Sequence, residues 1–299
     1  MSDMKLSDKK VTGHILALIT IIVWGSTFVF TKILLDEFTP VQIMLFRFVI
    51  AYFVLWLIHP KIEKTSIKDE LLFAVMGIFG CTVYFMTENT ALQYTLASNV
   101  SIIVASSPII TAVFAHFFIK GEKINKNIIL GFIVAFAGVI MVVLNGKFVL
   151  KLNPAGDALS LGAAVSWAVY SVILRTCVDK FNSVTLTRKL MFYGFITALP
   201  IAIAQGESVD FAALKSPDML FCILFLGVVG SGICYVTWNK AISCLGVVTT
   251  NNYIYVNPFV TLVTGGLVLK EPITAMGIFG ALLIISGVVI SSKKKTENG

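Results

Sequence analysis

The chain is a succession of long apolar runs separated by short polar breaks. A helix that crosses a bilayer needs about 20 predominantly apolar residues. Runs of that kind fall near 13–35, 40–58, 71–92, 97–119, 127–145, 158–176, 188–205, 219–240, 247–269 and 273–292. The breaks carry turn chemistry or charge: Asp36-Glu37, His59-Pro60-Lys61, Lys120-Gly121-Glu122-Lys123, Asn153-Pro154 and Lys270-Glu271-Pro272. The weakest lies between Gln93 and Leu96, a tight turn without charge. The first run has Trp24-Gly25-Ser26-Thr27-Phe28 in its middle, where a secretory signal would have a cleavage site, so it reads as a retained span. The pattern predicts an all-α polytopic membrane protein with ten transmembrane helices.

Lysine and arginine orient such a bundle, because they concentrate on the cytoplasmic side. With both termini inside, 17 of the 23 basic residues lie in inner segments and 4 in outer ones, Lys147, Lys151, Lys215 and Lys270. Lys32 and Arg47 fall within spans. This asymmetry predicts cytoplasmic tails at 1–12 and 293–299 and a place in the inner, or plasma, membrane.

The halves repeat. Trp24 and Lys32 match Trp167 and Arg175 at an offset of 143. Asn89, Ala91 and Pro108 match Asn239, Ala241 and Pro258 at 150, and Glu122, Gly131 and Gly138 match Glu271, Gly280 and Gly287 at 149. Two five-helix repeats follow, 13–146 and 157–292. Five is odd, so the second repeat enters the membrane from the opposite face. Inverted repeats place a binding site near the bilayer midplane and let it open to either side in turn.

Composition agrees with the pattern: 57% of the 299 residues are hydrophobic and 13% charged, with mean hydropathy +0.91. Soluble domains run at about 45–50% apolar and about 25% charged, which excludes an ordinary soluble enzyme. The net charge of +7 is scattered over short loops, so no nucleic-acid partner is implied. The five cysteines are isolated and the histidines (His14, His59, His116) lack ligand spacing, so no metal or cofactor is expected. No phosphate-binding G-x-x-x-x-G-K-[ST] loop, H-E-x-x-H or G-x-S-x-G motif occurs. ATP therefore does not drive this chain directly. An intramembrane enzyme and a channel remain as alternatives without a motif or a charge ring behind them.

Trp24-Gly25-Ser26-Thr27-Phe28, Pro40 with Phe46-Arg47-Phe48, Ala91-Leu92-Gln93-Tyr94, Pro108, and Glu122 followed by Gly131 and Gly138 resemble one EamA-type repeat. Trp167-Ala168-Val169-Tyr170, Trp238-Asn239-Lys240-Ala241, Pro258, Glu271, Gly280 and Gly287 resemble a second. Over about 13–292 the chain is similar to the ten-helix exporters of the drug/metabolite transporter (DMT) superfamily. Leu190 stands where Arg47 would repeat and Ser183 where Pro40 would, so those two are not duplicated. The resemblance implies a secondary transporter of small metabolites, such as amino acids or amphipathic drugs, running outward. It also implies a cavity among the first, third, fourth, sixth, eighth and ninth helices, with Trp24, Tyr84, Glu88, Ser98, Trp167, Tyr235, Trp238, Asn239 and Asn252 as substrate-binding candidates.

Ionised groups deep in a bilayer need a partner or a wet cavity. Glu88 is the one carboxylate of 16 placed well inside a span, roughly 8 Å from its outer end at 1.5 Å per residue. Arg47 lies at a similar depth, roughly 10 Å, from the same face. Three readings stand: an Arg47–Glu88 ion pair, a carboxylate in the outer vestibule, or Glu88 as a cavity-facing proton or cation site. Proton coupling and uncoupled facilitation accordingly remain alternatives, and the oligomeric state is open. Pro108 and Pro258, at matching mid-span positions, are candidate hinges. Gly131, Ala135 and Gly138 form a small-residue stripe, for intramolecular packing or for a dimer seam.

Overall fold

The computed structural model describes residues 6–95, 97–120, 124–144, 153–207, 213–268 and 274–292. Their regular structure is helical throughout. The first five helices are α1 (Leu6–Leu34), α2 (Pro40–Ile58), α3 (Ile67–Tyr94), α4 in two pieces (Ala97–Val104 and Ser107–Phe118) and α5 (Lys126–Leu144). The second five are α6 (Pro154–Cys177), α7 (Ser183–Ala204), α8 (Pro217–Leu245), α9 and α10 (Ala275–Ser292). α9 has three parts: Val247–Asn251, a 3-10 turn over Asn252–Val256, and Asn257–Val268. Among the described residues, α1, α2, α3, α6, α7 and α8 are each long and apolar enough to span a membrane.

Helix ends depart from the apolar runs where capping, not hydropathy, decides them. The start of α2 matches its run because Thr39 and Gln42 form a reciprocal capping box ahead of Pro40. α1 begins at Leu6 rather than near 13, since Lys9 and Lys10 leave the apolar band without ending the helix. α7 begins at Ser183 rather than near 188, because the Asn182 side chain accepts from the Val184 N–H at 2.9 Å. Arg188 and Lys189 are therefore helical rather than in the inner loop. Arg188 is buried, and its Nη1 and Nη2 donate to the carbonyls of His59 and Lys61, each at 2.6 Å. Lys189 reaches Glu70 on α3 at 2.5 Å, and Tyr193 donates to the same carboxylate.

The halves pack on each other reciprocally. α1 packs on α8 and α9, and α6, its counterpart, packs on α3 and α4. At the α5–α10 seam, a Cβ on Gly131 would fall 2.6 Å from the Gly287 carbonyl, and one on Gly138 would fall 2.5 Å from the Gly280 carbonyl. Gly131 repeats as Gly280 and Gly138 as Gly287, so each glycine faces the other's counterpart, as a twofold demands. The small-residue stripe thus packs within the chain.

Both repeats interrupt their third and fourth helices. α3 has a π-helical segment at Ile78–Val83 and α8 at Phe225–Ile233. α4 breaks between Val104 and Ser107, and α9 tightens over Asn252–Val256. These breaks lie just before Pro108 and Pro258, which have no N–H for the carbonyls of Val104 and Ile254 and whose rings crowd them.

Not every glycine marks a close approach. A Cβ on Gly162, inside α6, would meet Thr87 Cγ2 at 3.6 Å, an ordinary contact. Alanine in a helix interior gains about 0.5–1 kcal/mol over glycine. Gly162→Ala is expected to raise the thermal midpoint in detergent slightly; a fall would show that α6 needs closer approach there.

Candidate functional site

A partly open cavity lies between the repeats. α1 contributes Trp24, Thr27 and Phe28, α2 Arg47, and α3 Tyr84, Phe85 and Glu88. α4 adds Val104 and Ser107, α6 Trp167, α8 Tyr235, and α9 Ile254 and Asn257. Its walls therefore draw on both halves of the chain.

The π segments help to build it. A π turn leaves carbonyls outside the regular helical ladder, and side chains of the neighbouring helices take them. Gly80 O accepts from Tyr235 Oη at 3.0 Å, Phe79 O from Ser166 Oγ at 2.7 Å, and Gly230 O from Trp24 Nε1 at 2.9 Å. These bonds set the tilt of the aromatic wall. The Trp24 ring lies 5.2 Å from Trp167, 5.3 Å from Tyr235 and 5.0 Å from Trp238, centroid to centroid. Tyr84 closes on Trp167 at 5.3 Å. Edge and tilted contacts at such distances are the favoured aromatic geometries.

Two side chains that can carry opposite charge share this space. Arg47 is 2% exposed and Glu88 7% exposed. Arg47 donates from Nε to Ser231 Oγ at 3.0 Å, with its guanidinium 4.1 Å from the Phe85 ring centre. Glu88 accepts from Tyr84 Oη at 2.9 Å through Oε1. Among the described residues no ion pair joins Arg47 to Glu88 within 4.0 Å; each is held by neutral neighbours. The terminal amino groups of Arg47 and the second oxygen of Glu88 make no hydrogen bond to the described protein. A carboxylate and an ammonium brought in by a solute suit such a pair.

Trp24, Tyr84, Glu88, Trp167 and Tyr235, nominated from the sequence, come together with Arg47 at this cavity. Trp238, Asn239 and Asn252 are not among its walls. Trp238 stacks behind Trp24 and is fully buried. Asn239 is spent on packing, donating to Thr187 Oγ1 at 2.9 Å and accepting from Tyr170 Oη at 3.3 Å. Asn252 donates to Ser291 Oγ on α10 at 2.9 Å. The side chain of Ser98 lies outside the described residues. Sequence reasoning missed Phe85, Ser107 and Asn257. The signal for the last two was present, since each directly precedes a repeated proline at an offset of 150.

Comparison with known proteins gives the family. The model of the EamA-like transporter family matches twice, over residues 11–144 and 154–293. The chain belongs to the EamA-like transporter family. That places it in the DMT superfamily. An uncharacterized transporter of Archaeoglobus fulgidus is 28% identical over 291 residues, covering 95% of this chain and 98% of its own. The Bacillus subtilis transporter YcxC is 28% identical over 298 residues and 95% of each chain. A probable terminal-alkyne amino-acid exporter of Streptantibioticus cattleyicolor is 24% identical over 293 residues, 97% of this chain and 95% of its own. One crystal structure superposes with a TM-score of 0.77 at 17% identity, covering 94% of this chain and 98% of that one, which shows a shared fold. EamA-like membership makes this a multi-pass membrane transporter, handling a small-molecule substrate within a lipid environment.

Proposed function

We propose that the chain is a secondary active exporter working by alternating access, which carries small zwitterionic or amphipathic solutes of the amino-acid type out across the plasma membrane. One observation carries the reading: a cavity walled by both repeats holds a buried guanidinium and a buried carboxylate that are not paired with each other. Burying two such charges is costly, and a solute presenting the complementary pair offsets that cost. The aromatic wall suits an apolar side chain, and one relative is a probable terminal-alkyne amino-acid exporter. In this reading Trp24, Tyr84, Trp167 and Tyr235 form the solute's apolar wall, Arg47 takes its carboxylate, and Glu88 exchanges protons. Pro108 and Pro258 are the hinges on which α4 and α9 rock, and the tails face the cytoplasm.

Reconstituted vesicles preloaded with a mixture of unlabelled common L-amino acids test the reading. They should accumulate external labelled amino acids by counterflow, saturably and chemically unchanged by mass spectrometry. Absence of saturable counterflow, or a modified product, would sink it. A cysteine introduced by Lys9→Cys should react with an impermeant maleimide only after the cells are opened.

A further inference from the structure

Ser107 and Asn257 are counterparts in the two repeats, at the break of α4 and at the start of the last part of α9. Both line the cavity. Ser107 is fully buried and Asn257 is 7% exposed, yet Ser107 Oγ and Asn257 Oδ1 have no hydrogen-bond partner in the protein. A helical serine usually bonds back to a carbonyl one turn earlier. That carbonyl here, Ile103 O, already accepts both the N–H (3.0 Å) and the hydroxyl (2.6 Å) of Ser106. Unsatisfied buried polar atoms are rare and cost free energy, and a pair of them at equivalent residues lining one cavity calls for a ligand.

The chemistry of that ligand follows from what surrounds the pair. Ser107, Asn257 and Glu88 line one cavity, where the Asn257 Oδ1 and the Glu88 carboxylate can accept hydrogen bonds and the Ser107 hydroxyl can accept as well as donate. The rings of Trp24, Tyr84 and Trp167 line the same cavity, and aromatic rings favour a cation. We propose that Ser107 and Asn257 form a binding subsite for a primary ammonium group on the transported solute. The inference rests on the transport reading above and adds two residues that accept from the solute's N–H donors. An amine and an α-amino acid both carry that group. Arg47, across the same cavity, favours the second through its carboxylate.

Three probes with one ring and one chain length separate the cases: phenethylamine, L-phenylalanine and 3-phenylpropionate. Trp24 and Trp167 line the cavity, so binding to the purified full-length protein is read by tryptophan fluorescence. Phenethylamine, L-phenylalanine or both should bind, and 3-phenylpropionate at least about tenfold more weakly, as expected when a charged hydrogen-bond donor is lost. Which of the two binds better distinguishes an amine solute from an amino acid, and either result supports the subsite. Ser107→Ala and Asn257→Leu should each weaken the ammonium probes about tenfold or more. Neither should lower the thermal midpoint of the ligand-free protein, because neither removes a protein hydrogen bond. The proposal is overturned if 3-phenylpropionate binds as tightly as the ammonium probes, if no probe binds, or if the variants bind like the parent. A lowered midpoint overturns it too, since the atoms would then have structural partners. Vesicle counterflow separates these failures from failure of the transport reading itself.

Discussion

Vesicles containing the Glu88→Gln protein should show no uptake driven by a pH gradient, while counterflow exchange of the same solute continues. Glu88 is the buried carboxylate of the cavity, 7% exposed, with Tyr84 as its hydrogen-bond donor. Glutamine keeps the shape and still accepts from Tyr84, but it carries no exchangeable carboxyl proton. Loss of gradient coupling with exchange preserved would therefore locate the proton at this side chain. The size of the effect is set by the gradient: a coupled carrier accumulates its solute, and an uncoupled one only equalises it. If gradient dependence is unchanged in the variant, Glu88 is not the proton carrier and the uncoupled facilitator becomes the better reading. Loss of both activities would mean that solute binding needs the charge of Glu88 and not only an acceptor at that position.

The largest structural effect is expected at the α5–α10 seam. In the Gly138→Leu protein the new Cβ alone would lie 2.5 Å from the Gly280 carbonyl and 2.7 Å from the Ile284 nitrogen. Both are backbone atoms of a packed helix, so no side-chain rotation relieves the clash. Overpacking a core typically costs about 1–3 kcal/mol, and more when backbone must move. Here the relief available is to push α5 away from α10, which also strips contacts around Gly131, Ala135 and Gly287. The variant should lose its monodisperse peak on size-exclusion chromatography in detergent, whereas Gly162→Ala should elute like the parent. A normal peak for Gly138→Leu would mean that the two helices do not pack as closely as the glycine pairs require.

The transport cycle proposed here uses the same irregularities that build the cavity. The π segments of α3 and α8 present carbonyls to Tyr235, Ser166 and Trp24, and the breaks in α4 and α9 carry Ser107 and Asn257 to the cavity. Irregular backbone at membrane depth is tolerated where it is buried in protein or lines a cavity. Each irregularity occurs once per repeat, which supports exchange of two mirrored arrangements between the halves.

Much of this was legible from the chain alone. Apolar runs longer than a bilayer is thick leave helices as the one economical structure, so the helix number and the all-α class follow from hydropathy. The matched Trp, Asn, Pro and Gly positions revealed the duplication, and an odd helix count per half revealed its inversion. Glu88 and Arg47 stood out because charge within an apolar run is expensive wherever it points. Facing, in contrast, was not legible, because nearly every side of these helices is apolar and periodicity cannot separate lipid from core. Asn239 and Asn252 looked as promising as Tyr235, but only the packing shows that their amides are spent on Thr187, Tyr170 and Ser291. Ser107 and Asn257 looked ordinary until the fold placed both at one cavity with nothing to bond. The sequence by itself determined the helices, their duplication and the presence of buried charge, because those depend on local transfer energies. Which polar atoms find a partner and which do not depends on residues far apart along the chain, and the tertiary structure alone decided that.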